Sequence, residues 1–397
     1  MLSKFINYVD IKSIHVSIKY LAVSAFFTGV GLGYFFTLIV ILLKHNNFGD
    51  GNIGIIAASF SFGLMLAGIF VSKILGNFGL YKTMLFSISI QTLMILIMFI
   101  YFNSSVLIIC HFLMGILGGI NWMTMDTWVN IVSNNKNRGK AIAFYNLSIT
   151  VGFAIGPLLI SLIGSKGLLP LTIGICLMVI RTPVIILIKK YINAVQIPNI
   201  NNKFDFSLLK IAPFIFLAIF VSGVNDATFG VLFPAYMINF DYSDRQVGFL
   251  LFLGLMGGII FQPFIGALAD KINKRLLIFI LLFLHCIWPI LLHNYYEISF
   301  LLFLSVIISG IASVSLYTVA LAYLGQRYDP AQLVLATSLF IVVYEFGEFL
   351  GPAIIGYMME IFGNKGLIFS IFILTTSVFI IGLFRTYYLK IKIKNEI

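Results

Sequence analysis

Apolar runs of about 20 residues recur along the whole chain and constrain its fold more than any other feature. As a helix rising about 1.5 Å per residue, each run can cross the ~30 Å hydrocarbon core of a bilayer. Hydrophobic residues make up 60% of the 397 positions and charged residues only 10%. The runs predict twelve spanning helices, numbered here in chain order: 18–43, 52–75, 83–102, 106–131, 139–163, 168–188, 211–238, 246–269, 275–292, 298–324, 332–361 and 366–388. The predicted fold class is therefore an all-α polytopic membrane protein.

Lysine and arginine are unevenly distributed between the two faces that these helices define. Twelve helices put both termini and every loop that follows an even-numbered helix on one face. The opposite face holds Lys44, Lys166, Arg245 and Lys365, Arg181 lies within helix 6, and the rest of the 25 Lys and Arg residues lie on the first face. By the positive-inside rule the lysine-rich face is cytoplasmic. We expect a bacterial inner (plasma) membrane protein with both termini in the cytoplasm.

The positive net charge of +11 does not indicate a nucleic-acid partner, because loop cations that face an anionic lipid leaflet account for it. The lipid bilayer is the expected environment of the protein, and the chain is expected to be a monomer. The sequence has no G-x-x-x-x-G-K-[ST] loop, so coupling to ATP is not indicated. Cys110, Cys176 and Cys286 lie in apolar runs and indicate no metal site. We expect no cofactor and no cleavable signal peptide.

A Gly-x-x-x-Gly-Pro motif occurs in helix 5 and again in helix 11. In both places a Gly-x-Lys-Gly-Leu turn follows the motif. The residues are Gly152, Gly156 and Pro157 in the first motif and Gly347, Gly351 and Pro352 in the second. This recurrence predicts a parallel repeat of six helices about an axis normal to the membrane. A proline inside a helix removes one backbone donor and favours a bend, so we expect hinges at the two motifs. Close packing of helices is the alternative interpretation.

The longest polar interruption falls between helices 6 and 7 and sets the predicted domain boundaries. An N-terminal six-helix bundle covers residues 1–189, a cytoplasmic linker covers 190–210, and a C-terminal six-helix bundle covers 211–397. The repeated motifs predict that the two bundles are pseudo-symmetric.

The loop between helices 8 and 9 reads GALADKINKR at residues 266–275. It resembles the G-x-L-a-D-r-x-G-r-k signature of the major facilitator superfamily, with Asn273 at the second glycine. Residues 125–130 read MDTWVN and are followed by Arg138, Gly139 and Tyr145. This stretch resembles the E-S-W-L-N … R-G … Y pattern of the YcaD-like branch of that superfamily. The resemblance covers essentially the whole chain, but it implies no particular cargo.

The resemblance implies two bundles around a central cavity, lined mainly by helices 1, 4, 7 and 10, and transport by alternating access. It also implies a cytoplasmic gate in which Asp270, with Arg275, meets the start of helix 5 near Arg138. A solvated turn aspartate is the alternative for Asp270. The polar and aromatic residues expected near the cavity are Thr28, Tyr34, Thr37, Asn121, Asn225, Tyr317 and Tyr323.

Titratable side chains within the predicted spans are the candidates for proton coupling, since an ionised group at mid-bilayer costs a few kcal/mol. They are Asp226 on helix 7, Glu345 and Glu348 on helix 11, and His111 on helix 4. The two glutamates share one helix face, where two negative charges repel and favour binding of a proton. The alternatives are structural acids bonded to a tyrosine hydroxyl or to a backbone carbonyl freed by Pro352, and a core histidine with one hydrogen bond. Arg181 is expected to snorkel toward the membrane surface.

Together these features favour a proton-coupled secondary transporter of a small solute. Aromatic walls with acids suit a cationic or amphipathic compound, and export is slightly favoured. Uptake of a metabolite such as a sugar or an amino acid is the alternative. An integral-membrane enzyme or a transporter-like sensor is the alternative of another class, but the short loops lack convergent catalytic groups, so no enzyme activity is expected.

Overall fold

The computed structural model describes residues 14–133, 138–191 and 206–396, and this part of the chain is built from helices without strands. Its long helices are α1 Val16–His45, the stretch Asp50–Ile100 that forms α2 and α3, α4 Ser104–Val132, α5 Arg138–Ile163, α6 Leu168–Ile188, α7 Pro213–Ile238, α8 Asp244–Lys271, α9 Lys274–Tyr295, α10 Ser299–Leu324, α11 Pro330–Phe362 and α12 Lys365–Glu396. Each stretch is long and apolar enough to cross a membrane, at least in part of its length. The predicted all-α membrane fold is confirmed.

The boundary between α2 and α3 is a single glycine. The sequence predicts a loop after residue 75, but the helix continues to Gly79, which has φ 70° and ψ 170°. Positive φ is readily adopted only by glycine, so one residue makes the turn between the two spans. The Thr83 hydroxyl donates a 2.7 Å hydrogen bond to the Gly79 carbonyl oxygen and holds the first turn of α3.

Helix α7 changes its winding next to an acidic residue. It is α-helical over Pro213–Ala227, π-helical over Thr228–Leu232 and α-helical again over Phe233–Ile238. Pro234 lies in the first turn of the last segment, where its ring and missing N–H disfavour a regular continuation of the preceding helix. Short π-helical segments are frequent at functional sites, and this one begins two residues after Asp226.

The described residues form two compact units. The first contains residues 14–42 and 59–191, and the second contains residues 43–58 and 206–396. The end of α1 and the start of α2 therefore pack with the second half of the chain. The predicted division at 1–189, 190–210 and 211–397 stays a prediction, and residues 192–205 of the predicted linker lie outside the described residues.

Glycine packing is equivalent in the two units. In the first, a Cβ atom at Gly152 of α5 would overlap the Phe26 carbonyl oxygen of α1. In the second, a Cβ atom at Gly347 of α11 would overlap the Phe220 carbonyl oxygen of α7. Both motif helices continue through their prolines. The Gly-x-x-x-Gly-Pro motifs thus bring two backbones together in each unit, while their role as hinges stays a prediction.

Candidate functional site

A carboxylate of α7 is bonded to a tyrosine of α11 inside the second unit. The Tyr344 hydroxyl donates a 2.8 Å hydrogen bond to Asp226 Oδ2, and both side chains are half-buried. Gly223, one helical turn before the aspartate, makes this contact possible. A Cβ atom at Gly223 would overlap the Tyr344 carbonyl oxygen and would approach the Glu348 backbone nitrogen to 3.2 Å. The glycine therefore brings α11 close enough for its side chains to reach Asp226.

Two further acids of α11 surround the same tyrosine. Glu348 lies one helical turn after Tyr344 on α11, close enough to Asp226 for their charges to interact. Glu345 Oε2 is buried and has no hydrogen-bond partner among the described residues. The ion pairs of this part of the chain are Lys44–Asp50 and His45–Asp244, so none of the three acids is paired with a cation. The structure brings three of the four predicted proton-coupling residues together.

Neutral polar groups of α9 and α10 complete the surroundings of Asp226. The Ser313 side chain lies near the Asp226 carboxylate, and its Oγ is 3.4 Å from His285 Nε2. His285 Nδ1 is 3.0 Å from the Leu281 carbonyl oxygen, so Nδ1 carries the hydrogen in this bond. The Tyr317 ring stands perpendicular to the Tyr344 ring, with centroids 5.2 Å apart. The site is therefore acidic, aromatic and free of lysine and arginine in its described contacts.

Asn225, predicted to line the cavity, lies in the interior of the second unit. Its Nδ2 donates to the Val221 carbonyl oxygen at 3.0 Å, and its Oδ1 accepts from Trp288 Nε1 at 3.3 Å. Tyr323, the other predicted residue of this unit apart from Tyr317, accepts a 2.6 Å hydrogen bond from Arg327 Nη2. Both side chains are thus engaged within their own unit.

The predicted residues of the first unit are also engaged within it. His111 Nδ1 is 2.8 Å from the Leu107 carbonyl oxygen, as in the core-histidine alternative. The hydroxyls of Tyr34 and Thr37 donate to the carbonyl oxygens of Pro170 and Gly33, each at 2.8 Å. Asn121 is buried, and its Oδ1 has no hydrogen-bond partner within the described chain. A proton-coupling role for His111 and the cavity positions of the other residues stay predictions.

The predicted snorkelling of Arg181 is wrong. Its side chain is fully buried, at 0% exposure, inside the first unit. Nη1 donates to Thr28 Oγ1 and Nη2 donates to Gln91 Oε1, each at 3.3 Å. Gln91 is oriented for this role because its Nε2 donates to the Met114 carbonyl oxygen at 3.3 Å. Arg181 turns inward because α1 and α3 supply acceptors there, and Gln91 is a polar residue that the sequence interpretation missed.

The loop that resembles the family signature has an internal anchor. Arg275 Nη2 is 3.4 Å from the Gly382 carbonyl oxygen of α12, and the guanidinium lies 5.6 Å from the centre of the Phe214 ring. Asn273, at the position of the second signature glycine, accepts a 2.9 Å hydrogen bond from the Arg275 backbone nitrogen and caps α9. Asp270 and Arg138 are exposed at a helix end and a helix start. Their pairing in a gate stays a prediction.

Residues 43–58 are held in the second unit by carboxylates that the sequence interpretation missed. Asp50 Oδ1 accepts from Lys44 Nζ at 3.0 Å, and Asp50 Oδ2 accepts from Asn239 Nδ2 at 3.2 Å. Glu360 Oε2 of α11 accepts from the Gly51 backbone nitrogen at 3.0 Å. A negative charge is stabilising at the N-terminus of a helix, and the N-terminus of α2 has two carboxylates, those of Asp50 and Glu360. These acids lie at helix ends, where hydropathy carries no signal.

Comparisons with known proteins agree with this architecture. The family model of the Major Facilitator Superfamily matches residues 21–191 and 215–396. The chain is 25% identical over 366 residues to the uncharacterized MFS-type transporter YfkF of Bacillus subtilis (strain 168), a match that covers 89% of this chain and 91% of that protein. It is 24% identical over 358 residues to the uncharacterized MFS-type transporter YcaD of Escherichia coli O45:K1 (strain S88 / ExPEC), covering 88% and 90%. The predicted resemblance to the YcaD-like branch is confirmed.

Solved structures share the fold. The nucleoside transporter NupG superposes with a TM-score of 0.77 at 13% identity, covering 95% of this chain and 100% of that one. A bacterial homolog of the human lysosomal transporter Spinster, in an inward-facing and occupied conformation, gives a TM-score of 0.73 at 14% identity, covering 94% and 95%. At these identities the likeness concerns the fold alone. With a family model that matches most of its length, the chain belongs to the major facilitator superfamily and is a multi-pass membrane transporter of small molecules.

Proposed function

We propose that this transporter couples the movement of its solute to protons through Asp226, Glu345 and Glu348, by alternating access. The observation that carries the proposal is the position of Asp226, whose Oδ2 is held at 2.8 Å by a neutral tyrosine hydroxyl and by no cation of the described chain. Three neighbouring carboxylates that are all ionised inside a membrane span would repel one another at high cost. Binding of a proton relieves this cost, and its release restores it, which is what a coupling site requires.

We propose a cationic or amphipathic cargo and export as the direction. Acids and the perpendicular rings of Tyr317 and Tyr344 provide charge attraction and cation–π contacts for a cation. A carboxylate that binds a cation cannot hold a proton at the same oxygen, so cargo and protons compete. Competition produces exchange, and exchange with an inward proton gradient drives the cargo outward. Uptake of a neutral metabolite with protons is the second candidate and requires no such competition.

The remaining features of the proposal concern the setting of the protein. We propose that the chain acts as a monomer in the bacterial inner membrane, without ATP, and with both termini in the cytoplasm. The distribution of lysine and arginine supports this orientation. The predicted gate of Asp270, Arg275 and Arg138 and the predicted hinges at the Gly-Pro motifs belong to the same proposal.

Flux in proteoliposomes tests the proposal. With an imposed pH gradient and a luminal pH dye, the wild-type protein is expected to move protons only when a suitable cargo is present, with cationic amphipaths, sugars and amino acids tested in turn. Asp226→Asn and Glu348→Gln each remove one proton-binding carboxylate, and we expect a loss of gradient-driven flux of about 100-fold, in the range seen when acid–base groups are removed. Cargo exchange without a gradient is expected to fall as well where the carboxylates bind the cargo, and to persist for the uptake candidate.

The matched control is Glu297→Gln, which neutralises an exposed glutamate in the loop between α9 and α10. It is expected to leave flux unchanged. Wild-type accumulation in both Asp226→Asn and Glu348→Gln would remove the carboxylates from the mechanism. Proton and cargo movement in the same direction would favour the uptake candidate over export.

A further inference from the structure

We propose that the Tyr344 hydroxyl joins Asp226 and Glu348 into one proton-sharing unit and relays a proton between them. This inference rests on the proposed coupling role of the two acids and adds a residue that neither hydropathy nor charge pointed to. Tyr344 is a positioning and relay residue: it changes what the two carboxylates do without itself needing to bind the cargo.

The backbone geometry fixes Tyr344 between the acids. Gly223 lets the Tyr344 carbonyl oxygen and the Glu348 nitrogen approach α7 directly, one turn before Asp226. The phenol then extends to Asp226 Oδ2 at 2.8 Å, while Glu348 lies one turn further along α11 on the same face of the helix. The perpendicular Tyr317 ring, 5.2 Å away, limits the rotation of the phenol. The hydroxyl thus donates its one hydrogen to Asp226, and Glu348 lies one helical turn away as the second carboxylate that it can serve.

The relay conserves protons at every step. The phenol O–H gives its proton to one carboxylate while its oxygen accepts the proton of the other, protonated, carboxyl group. The O–H bond of the tyrosine breaks and re-forms, one carboxyl group becomes a carboxylate, and the other becomes a carboxylic acid. Tyr344 is neutral before and after, because a hydroxyl can donate one hydrogen bond and accept another. The net result is the transfer of one proton from α11 to α7 or the reverse.

The other titratable groups near Asp226 and Glu348 have different contacts from those of Tyr344. On α10, Tyr317 meets Tyr344 through its ring. On α9, His285 reaches Asp226 only through Ser313, with 3.4 Å between Nε2 and Oγ, and its Nδ1 is engaged by Leu281. On α11, Glu345 Oε2 has no hydrogen-bond partner in the described residues. Tyr344 is therefore the tyrosine whose hydroxyl is bonded to Asp226 and which lies one helical turn from Glu348.

The variant Tyr344→Phe tests the relay, because it keeps the ring and removes the hydroxyl. We expect proton-coupled flux to fall by at least about tenfold and its dependence on pH to become that of two separately titrating acids. The matched control is Tyr236→Phe on α7, which removes a buried hydroxyl that lies 2.9 Å from His293 Nδ1 and outside the site. The control is expected to retain the rate and the pH profile of the wild type.

A double-mutant cycle distinguishes the relay from a general loss of structure. If Tyr344 acts through Glu348, then Tyr344→Phe adds little to the loss already caused by Glu348→Gln, whereas an unrelated structural effect adds fully. Additive losses, or a wild-type rate and pH profile in Tyr344→Phe, overturn the relay. If Asp226→Asn and Glu348→Gln lose coupling in that same series, the proposed function stands without the relay. If they also retain wild-type coupling, the proposed function fails as well.

Discussion

A leucine at Gly223 is expected to abolish proton-coupled flux and to lower the unfolding temperature of the purified transporter. The reason is backbone contact: even a Cβ atom at this position would overlap the Tyr344 carbonyl oxygen. A carbonyl of a helix cannot move aside as the end of a flexible side chain can, so α7 and α11 must separate. Overpacking of this kind costs about 1–3 kcal/mol or more. Separation also withdraws the Tyr344 hydroxyl and Glu348 from Asp226, so stability and coupling fall together.

The matched control lies seven residues along the same helix. Gly230 has no heavy atom within 4 Å of the position that a Cβ would occupy. Gly230→Ala is therefore expected to leave both the unfolding temperature and the flux close to the wild type. Unfolding followed by intrinsic fluorescence and flux in proteoliposomes are the two measurements. A wild-type unfolding temperature in Gly223→Leu would show that the two helices do not need the close approach seen here.

The second unit shows how far hydropathy predicts this fold. Apolar runs predict α7 through α12 with boundaries that mostly differ from the structure by a few residues. Hydropathy gives no sign of the π-helical segment Thr228–Leu232, because that irregularity depends on the backbone around Pro234 and not on polarity. The turn at Gly79 falls inside the predicted loop 76–82, but hydropathy does not show that one residue makes it. The helix continues on both sides, and only the backbone angles of the glycine separate α2 from α3.

The candidate site could be predicted as a set of acids but not as a set of contacts. Asp226, Glu345 and Glu348 stand out because ionisable residues are rare in apolar runs. The sequence alone does not distinguish the tyrosine that bonds to Asp226 from the other tyrosines of the chain. That contact depends on the crossing of α7 and α11 at Gly223. Residues 43–58 show the same limit. Their carboxylate partner Glu360 is more than 300 positions away in the chain, and no spacing rule joins it to Gly51.

Arg181 is a further charged residue within a span, and it lies in the first unit. Its guanidinium is at 0% exposure and is bonded to the neutral acceptors Thr28 and Gln91 at 3.3 Å, distances longer than the 2.7–2.9 Å typical of charge-assisted bonds to carboxylates. Among the described residues it forms no ion pair. Removing an ion from water without a counter-ion costs several kcal/mol, which neutral acceptors offset only in part. A charge kept at this cost inside a membrane span is by default a functional group.

The substitution Arg181→Met is therefore expected to leave the unfolding temperature unchanged or higher while it lowers flux by at least about tenfold. Methionine fills much of the same space with a flexible apolar chain, and it removes the desolvated charge. The Thr28 hydroxyl and Gln91 Nε2 keep their bonds to the carbonyl oxygens of Ser24 and Met114. Gln91 Oε1 loses its donor, and an unsatisfied neutral acceptor costs less than a buried charge without a counter-ion. Arg181→Lys, which retains the charge, is expected to keep part of the flux. A marked fall in unfolding temperature for Arg181→Met would instead show that the guanidinium is required for the packing of α1, α3 and α6, and wild-type flux would show that the charge has no part in transport.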